Sequence, residues 1–497
     1  MFLSPGLSTI HLRIGPVVTF AFMIGLCFLL SGLGSEQQFK ASLIELDYDS
    51  SDSPSAEENY LERLSKRYLL TNQTIWQAWR IQPSDHPDQS SPLIDVGLKF
   101  ASSQSQKVVD LRGPKQSDLR ATKLMTLPGA RPDSVTNGSD FLFGVSTSYD
   151  RISDGNWAVL RAWTRWLTRR GGESNGAGLV IMLDRATDGQ LQEVDDRLHA
   201  VGLDAYLLST DEPMSMAKRY YEMVRIFKTY GATLAACGQR KTWFALVDDS
   251  VFFPDLSHLR RHLASYSAGD ELYLGLPGGG ATMLMTRRAV DQVPSLPCTD
   301  AASVVAPAKP QQWHELLKEC VEQRAGHEVR VLSYGDYNDD DDGDYDEDDY
   351  QDQRVSLTSL STTTSTTRRP LLLHHQHHRL DVGMAHLVTD VCGESCFMQR
   401  FLFRDDWLLV NGVSISHHPE GLNGRRRHRH QHDRRGGGGR RHRHQADPGF
   451  SLWRLLDSTS SPDGSVWQAY LKRAGEDDGM DSVIVLIWGG KHDLRLR

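Results

Sequence analysis

The chain has 497 residues, 39% hydrophobic and 8% aromatic. That excludes a polymer too polar to build a core, and the length leaves room for two or more domains. The formal net charge of −9 is segregated: residues 336–350 are almost purely acidic and 425–444 mostly Arg, His and Gly. Such blocks cannot bury enough apolar area to order themselves, so their charge says little about the folded part.

Ile14 to Leu33 is the only long apolar run. About twenty residues suffice for a helix to cross a bilayer. Arg13 precedes the run and Glu36 follows it, which points to a cytosolic N-terminus. The expectation is a 1–13 cytosolic tail, a 14–34 transmembrane signal anchor and a head in an oxidising compartment. A signal peptide cleaved near Ser31 to Ser35 is the alternative. The sequons at Asn72 and Asn137 agree with that compartment. So do Cys298, Cys320, Cys392 and Cys396, which can form two disulfides and leave Cys237 as the odd thiol. Zinc is the other use for cysteines, but C-x3-C with no second pair fits it poorly.

Residues 35–135 are rich in Ser, Asp, Gln and Pro. They read as a mostly extended stem, with a helix or two over Leu61 to Trp79. From Phe141 the texture changes. Strands are expected at Phe141–Thr147, Gly178–Asp184, Asp204–Leu208 and Phe244–Val247. Helices are expected between them at Asp154–Arg169, Gln190–Val201 and Met216–Thr229. This alternation implies a mainly parallel sheet covered by helices on both faces, with ligands beyond the carboxyl ends of its strands. Thr147, Asp184, Asp248 and Asp249 fall at such ends. Adjacent carboxylates at a buried strand end repel each other and lose hydration, unless a cation or hydrogen-bond donors compensate. A divalent metal carrying a diphosphate is one compensator; caps or solvent are the other.

Further on, Leu256–Tyr266 reads as a helix, Glu271–Leu276 as a strand, Gly278 to Gly280 as a loop, Ala281–Met285 as a strand and Trp313–Val321 as a helix. Glycines let a backbone approach a ligand closely, or simply turn. Residues 336–370 are low-complexity. His374, His375, His377 and His378 follow; histidine is the commonest transition-metal ligand, yet His-rich surface tracts are usually incidental. Cys392 to Ile415 resumes as folded chain, and Ser482–Trp488 reads as a last buried strand. The Arg/His/Gly tract lacks interleaved aromatics, and no nucleic-acid partner is expected.

Four stretches, in order, resemble fungal Fringe-like members of glycosyltransferase family 31. They are F-L-F-G-V-S-T-S-Y from Phe141, with S-N-G-A-G-L-V-I-M-L-D ending at Asp184; W-F-A-L-V-D-D-S-V-F-F-P from Trp243; Y-L-G-L before the glycine loop; and V-C-G-E-S-C-F-M-Q-R-F-L-F-R-D-D with N-G-V-S-I up to Ile415. The resemblance implies a type II protein of the Golgi or endoplasmic reticulum membrane with a lumenal head. The head would be GT-A-like (Rossmann-like) α/β, a mixed, mainly parallel sheet flanked by helices after a single transmembrane helix and stem. It would run over 136–335 and 371–418 around the 336–370 insert, with a 419–447 low-complexity segment and C-terminal strands over 448–497.

The implied activity is Mn2+-dependent, inverting transfer of a hexose from a UDP-sugar to a glycan or glycoprotein acceptor. The metal would stabilise charge on the leaving UDP and a carboxylate would deprotonate the acceptor hydroxyl. By the same resemblance, Asp248, Asp249 and His375 would hold the metal. Thr147, Asp184, Asp248, Gly279 and Gly280 would line the donor site, and Glu315 would be the base. There are departures. The family's third acid is Ser250 here, and a hydroxyl is a weaker ligand for a hard dication. His314 replaces a glycine, the base is Glu rather than Asp, and a polar segment before Gly278 is missing. A second expectation therefore stands beside the enzyme: a catalytically degenerate lumenal module that binds a glycan or a partner.

Overall fold

The computed structural model describes residues 43–45, 54–85, 93–100, 106–112, 119–121, 123–129, 137–169, 172–275, 282–296, 313–332, 371–374, 381–419, 451–475 and 479–489. Their centre is a seven-stranded mixed sheet. Its strand order is Arg330–Val331, Tyr273–Gly275, Thr282–Thr286, Trp243–Val247, Phe141–Thr147, Gly178–Asp184 and Ala205–Thr210. The last four strands run parallel to one another. Thr282–Thr286 is antiparallel to Trp243–Val247. Phe141–Thr147 and Trp243–Val247 are buried throughout, as strands covered on both faces must be.

Helices Tyr149–Leu167, Asp188–Ala200 and Leu256–Leu263 place Trp163, Leu198 and Leu259 in the core on one face. Met216–Ala236, Arg287–Gln292 and Trp313–Cys320 place Phe227, Val290 and Leu317 on the other. The helices after the strands begin at side-chain caps: Ser148 accepts from Arg151 N, Thr187 from Gln190 N and Ser215 from Lys218 N. Gly144 is required where Phe227 crosses the central strand, since a Cβ there would sit 2.6 Å from the Phe227 ring.

Three expectations change. The helix expected from Asp154 begins earlier, at Tyr149, and is interrupted at Asp154–Trp157, where Gly155, Asn156 and Trp157 adopt left-handed backbone. The break is held by Arg161, which donates to the Gly155 and Asn156 carbonyls.

Much of the expected 35–135 stem is folded into a second sheet, eleven-stranded among the described residues. After a helix at Ala56–Tyr68, Gln73–Asp85 forms a long strand, not the second half of a helix. It pairs in parallel with Asp481–Trp488 at the other end of the chain. Trp76 and Trp79 are buried there at 1% exposure. Local composition could not show a partner four hundred residues away.

The membrane anchor is the third correction. Among the described residues no helix is long and apolar enough to cross a membrane. The 14–34 run lies outside the described residues. The single-pass type II assignment and the Golgi or endoplasmic reticulum placement built on it are not upheld.

Candidate functional site

Register explains why the acids meet. Val145 pairs with Val247 and Thr147 with Leu183, so three neighbouring parallel strands end level with one another. Beyond those ends lie Asp248 and Asp249 on one side of Thr147 and Asp184 on the other. Alternation along a strand divides them between faces. Asp249 follows Val247 toward the core that holds Trp163. Asp248 follows Leu246, and Asp184 follows Met182, toward the core that holds Phe227.

Asp249 meets side chains from the neighbouring strand and from the helix that follows it. Thr147 Oγ1 donates to its Oδ2 at 2.5 Å, and Arg151 Nε lies 3.4 Å from the same oxygen. Burial, then the charge of Asp248, raises the Asp249 carboxyl to about 6. Asp248 Oδ1 accepts from Ser250 N at 3.0 Å and from Ser250 Oγ at 2.6 Å. Ser250 is therefore a hydrogen-bond donor to Asp248 through both its N–H and its hydroxyl. Asp184 Oδ1 is 2.7 Å from the Nη1 of buried Arg219, and its Oδ2 is 3.5 Å from Arg185 Nη2.

The helix Trp313–Cys320 reaches this region. Trp313 stacks on Tyr220, ring centroids 3.8 Å apart. The Tyr220 hydroxyl donates to Val247 O at 2.7 Å, directly behind Asp248. Burial, then Asp248, raises that phenol well above its usual value. His314 is lowered by burial against the opposing pull of Glu315 and Asp248, so the start of this helix feels the acidic strand end. Glu315 itself is exposed in the first turn.

Of the expected site, Thr147, Asp248 and Asp249 form one connected group, Asp184 lies at the adjoining strand end, and Glu315 sits on a helix packed behind. Gly279, Gly280 and His375 lie outside the described residues. Leu373–His374 pairs antiparallel with Val251–Phe252, with His374 opposite Val251. The ladder thus ends one residue past Ser250 and one residue before His375.

Among the described residues no group of three or more His, Cys, Asp or Glu side chains is placed to hold a metal ion. A hard dication wants six or more oxygens. Asp249 is already bound by an arginine and Asp248 by Ser250, so the described residues do not fit a metal cage. Cys392 and Cys396 are bonded to each other, Cys320 is also disulfide-bonded, and Cys237 is free and exposed.

Sequence reasoning missed Arg151, Arg219, Tyr220 and Trp313. The signal for the first two was available: each arginine lies in the opening turn of a helix near an acid-bearing strand end, where a buried carboxylate needs a partner.

The fold and site thus define an α/β protein with acids and arginines gathered at the carboxyl ends of parallel strands. No family model and no curated protein sequence matches the chain. Among solved structures, the chain is similar to the glycosyltransferase GlyE of Streptococcus pneumoniae, at 9% identity and a TM-score of 0.29, over 48% of this chain and 54% of that one. The apo form of GlyE matches at 9% identity and a TM-score of 0.27, over 38% and 44%. A mannosyltransferase of Pyrobaculum calidifontis, in complex with GDP-Man and Mn2+, matches at 11% identity and a TM-score of 0.26, over 41% and 59%. The chain spans about half the length of the GlyE structures. Likeness at this level carries no argument for fold or function.

Proposed function

We propose that the protein is a glycosyltransferase that takes its sugar from a nucleotide-sugar donor. One observation carries the reading: Thr147, Asp184, Asp248 and Asp249 gather beyond level strand ends in the parallel part of an α/β sheet, the place such sheets use for ligands. The four stretches that resemble the Fringe-like family include each of these residues. They support the finer form, inverting transfer of a hexose from a UDP-sugar to a glycan or glycoprotein acceptor.

Glu315 is the proposed base. It sits in the first turn of its helix, beside His314, which feels both Glu315 and Asp248. It would take the acceptor proton as the hydroxyl attacks the sugar's anomeric carbon and the bond to the diphosphate breaks. Mn2+ belongs to the resemblance, where it would steady the leaving diphosphate. The described carboxylates do not complete a cage for it, and no step is assigned to it here.

A specific observation favours a second reading, a glycan- or partner-binding module without turnover. Ser250 donates to Asp248 where a third carboxylate would stand. A screen of UDP- and GDP-sugars for diphosphate release separates the two. Release that falls at least a hundredfold in Glu315→Gln supports the enzyme. Diphosphate binding with no release from any donor leaves the binding module.

A further inference from the structure

Two arginines, Arg151 in the first turn of its helix and Arg185 just past a strand end, are under-used by the contacts they make. Arg151 Nε touches Asp249 Oδ2 at 3.4 Å, and its side chain is 38% exposed. Arg185 Nη2 touches Asp184 Oδ2 at 3.5 Å, and its side chain is 59% exposed. A guanidinium has five N–H donors in a planar fork suited to two oxygens at once. Each of these offers one nitrogen to one carboxylate oxygen, at a long distance.

Asp184 already has a counter-ion in Arg219, 2.7 Å away and 8% exposed, so Arg185 is surplus to it. Asp249 is hydrogen-bonded by Thr147 as well as approached by Arg151. Arg185 is also held in left-handed backbone, φ 51°, which a non-glycine residue adopts at a cost of about 1 kcal/mol or more. Its N–H is fixed there by Thr210 Oγ1 at 3.1 Å.

A second, independent observation points to a polar ligand. Arg219 Nε and Ser146 Oγ are buried without a hydrogen-bond partner. Ser146 directly precedes Thr147, and Arg219 binds Asp184. Unpaired buried donors are costly, and each of these lacks a hydrogen-bond acceptor.

We infer that the diphosphate of the donor is received by Arg151 and Arg185 above the ends of Phe141–Thr147 and Gly178–Asp184, so that donor binding needs no divalent cation. This rests on the nucleotide-sugar reading and deepens it. Neighbouring parallel strands lie about 4.8 Å apart. Thr147 and Leu183 are paired, so the helix turn that carries Arg151 and the residue Arg185 follow adjoining strands. Arginine supplies two-pronged contact to phosphate oxygens, and its charge would stabilise the leaving group where the third acid of a metal site is absent. Exposed Asp211 and Glu212 follow the neighbouring strand, and Asp150 flanks Arg151. They keep the region from being a general anion trap, so binding depends on the guanidinium forks themselves.

The test is calorimetric titration of the full chain with UDP, GDP and inorganic pyrophosphate, in EDTA and then with Mn2+. The expected result is binding in EDTA that Mn2+ changes by less than about threefold. Arg151→Gln and Arg185→Gln should each weaken it about tenfold, with Arg151→Lys and Arg185→Lys between. Arg219→Gln is not used, because it would remove the closer of the two arginines that Asp184 meets. Melting curves of each variant confirm folding. Binding that appears only with Mn2+ overturns this inference and leaves the glycosyltransferase reading standing. Binding in EDTA that ignores both arginines also overturns it. No binding of any probe by folded protein, with or without Mn2+, sinks both.

Discussion

Thr147 donates its hydroxyl to Asp249 over 2.5 Å, from the last residue of one parallel strand to the second residue beyond its neighbour. The bond favours the ionised carboxylate, yet burial and the charge of Asp248 outweigh it and raise the group from 3.8 to about 6. The folded state therefore keeps a proton that the unfolded chain releases near pH 4. Stability falls as pH rises through this window, and above pH 6 the ionised Asp249 costs about 3 kcal/mol. Asp249→Asn should stabilise the protein by that order at pH 7 in EDTA, and leave it unchanged near pH 4, where the native side chain is neutral too. Urea melts at the two pH values check this. Equal stabilities at both would show that Asp249 is not strained by ionisation.

Arg219 and Asp184 form the most buried ion pair of the site, 2.7 Å apart with side chains 8% and 22% exposed. Removing Arg219 leaves Asp184 with only its long contact to Arg185, and losing one partner of a buried pair costs up to about 3–5 kcal/mol. Arg219→Met should lose stability of that order. Asp184→Asn in the same chain should restore much of it, because both members of the buried pair are then gone. A double-mutant cycle from urea melts measures the coupling. A coupling near zero would mean that solvent, not Arg219, compensates Asp184.

The α/β part is legible in the sequence because its cues are local. Phe141–Thr147 and Trp243–Val247 are apolar runs that stop at polar residues, and the intervening helices carry apolar faces at helical spacing. The carboxyl-end rule then gathers Thr147, Asp184, Asp248 and Asp249 without any knowledge of contacts. What is not legible depends on distance along the chain. Gln73–Asp85 is a strand because Asp481–Trp488 lies beside it. Arg151 and Arg219 matter because they meet Asp249 and Asp184 from helices whose approach no local pattern fixes.

Ser250 is 4% exposed, and its N–H and hydroxyl both point to Asp248 Oδ1. Ser250→Asp exchanges a donor for a like charge against that carboxylate. Without a cation the variant should lose about 2 kcal/mol or more, the cost of an unrelieved buried charge. Three neighbouring carboxylates also resemble a dication site, so Mn2+ should raise the melting temperature of the variant while moving the native chain little. Thermal melts with EDTA and with Mn2+ decide it. A Mn2+ shift of equal size in both chains would show that the native acids already bind the ion.

His386 lies in the core, far from water, where three segments converge. Its Nε2 is 3.0 Å from Pro254 O, and a carbonyl can only accept, so Nε2 carries the proton. That leaves Nδ1 as the acceptor facing Arg165 Nε at 3.4 Å. Arg165 is itself pinned by Asp390 at 2.8 Å. A second proton on the ring would sit buried against a guanidinium, and burial together with Arg165 lowers the imidazole from 6.5 to about 3. The unfolded chain takes up this proton below pH 6.5 and the folded state does not, so stability is lost as pH falls from 6.5 toward 3. By pH 4.5 the loss is about 3 kcal/mol. His386→Gln keeps a donor toward Pro254 but cannot titrate. It should be less stable than the native chain at pH 7, through poorer packing against Phe252 and Phe397. Its stability should then fall less steeply with acid, so the two curves converge between pH 6.5 and 4.5. Parallel curves across that interval would mean that His386 titrates normally and that acid unfolding begins elsewhere.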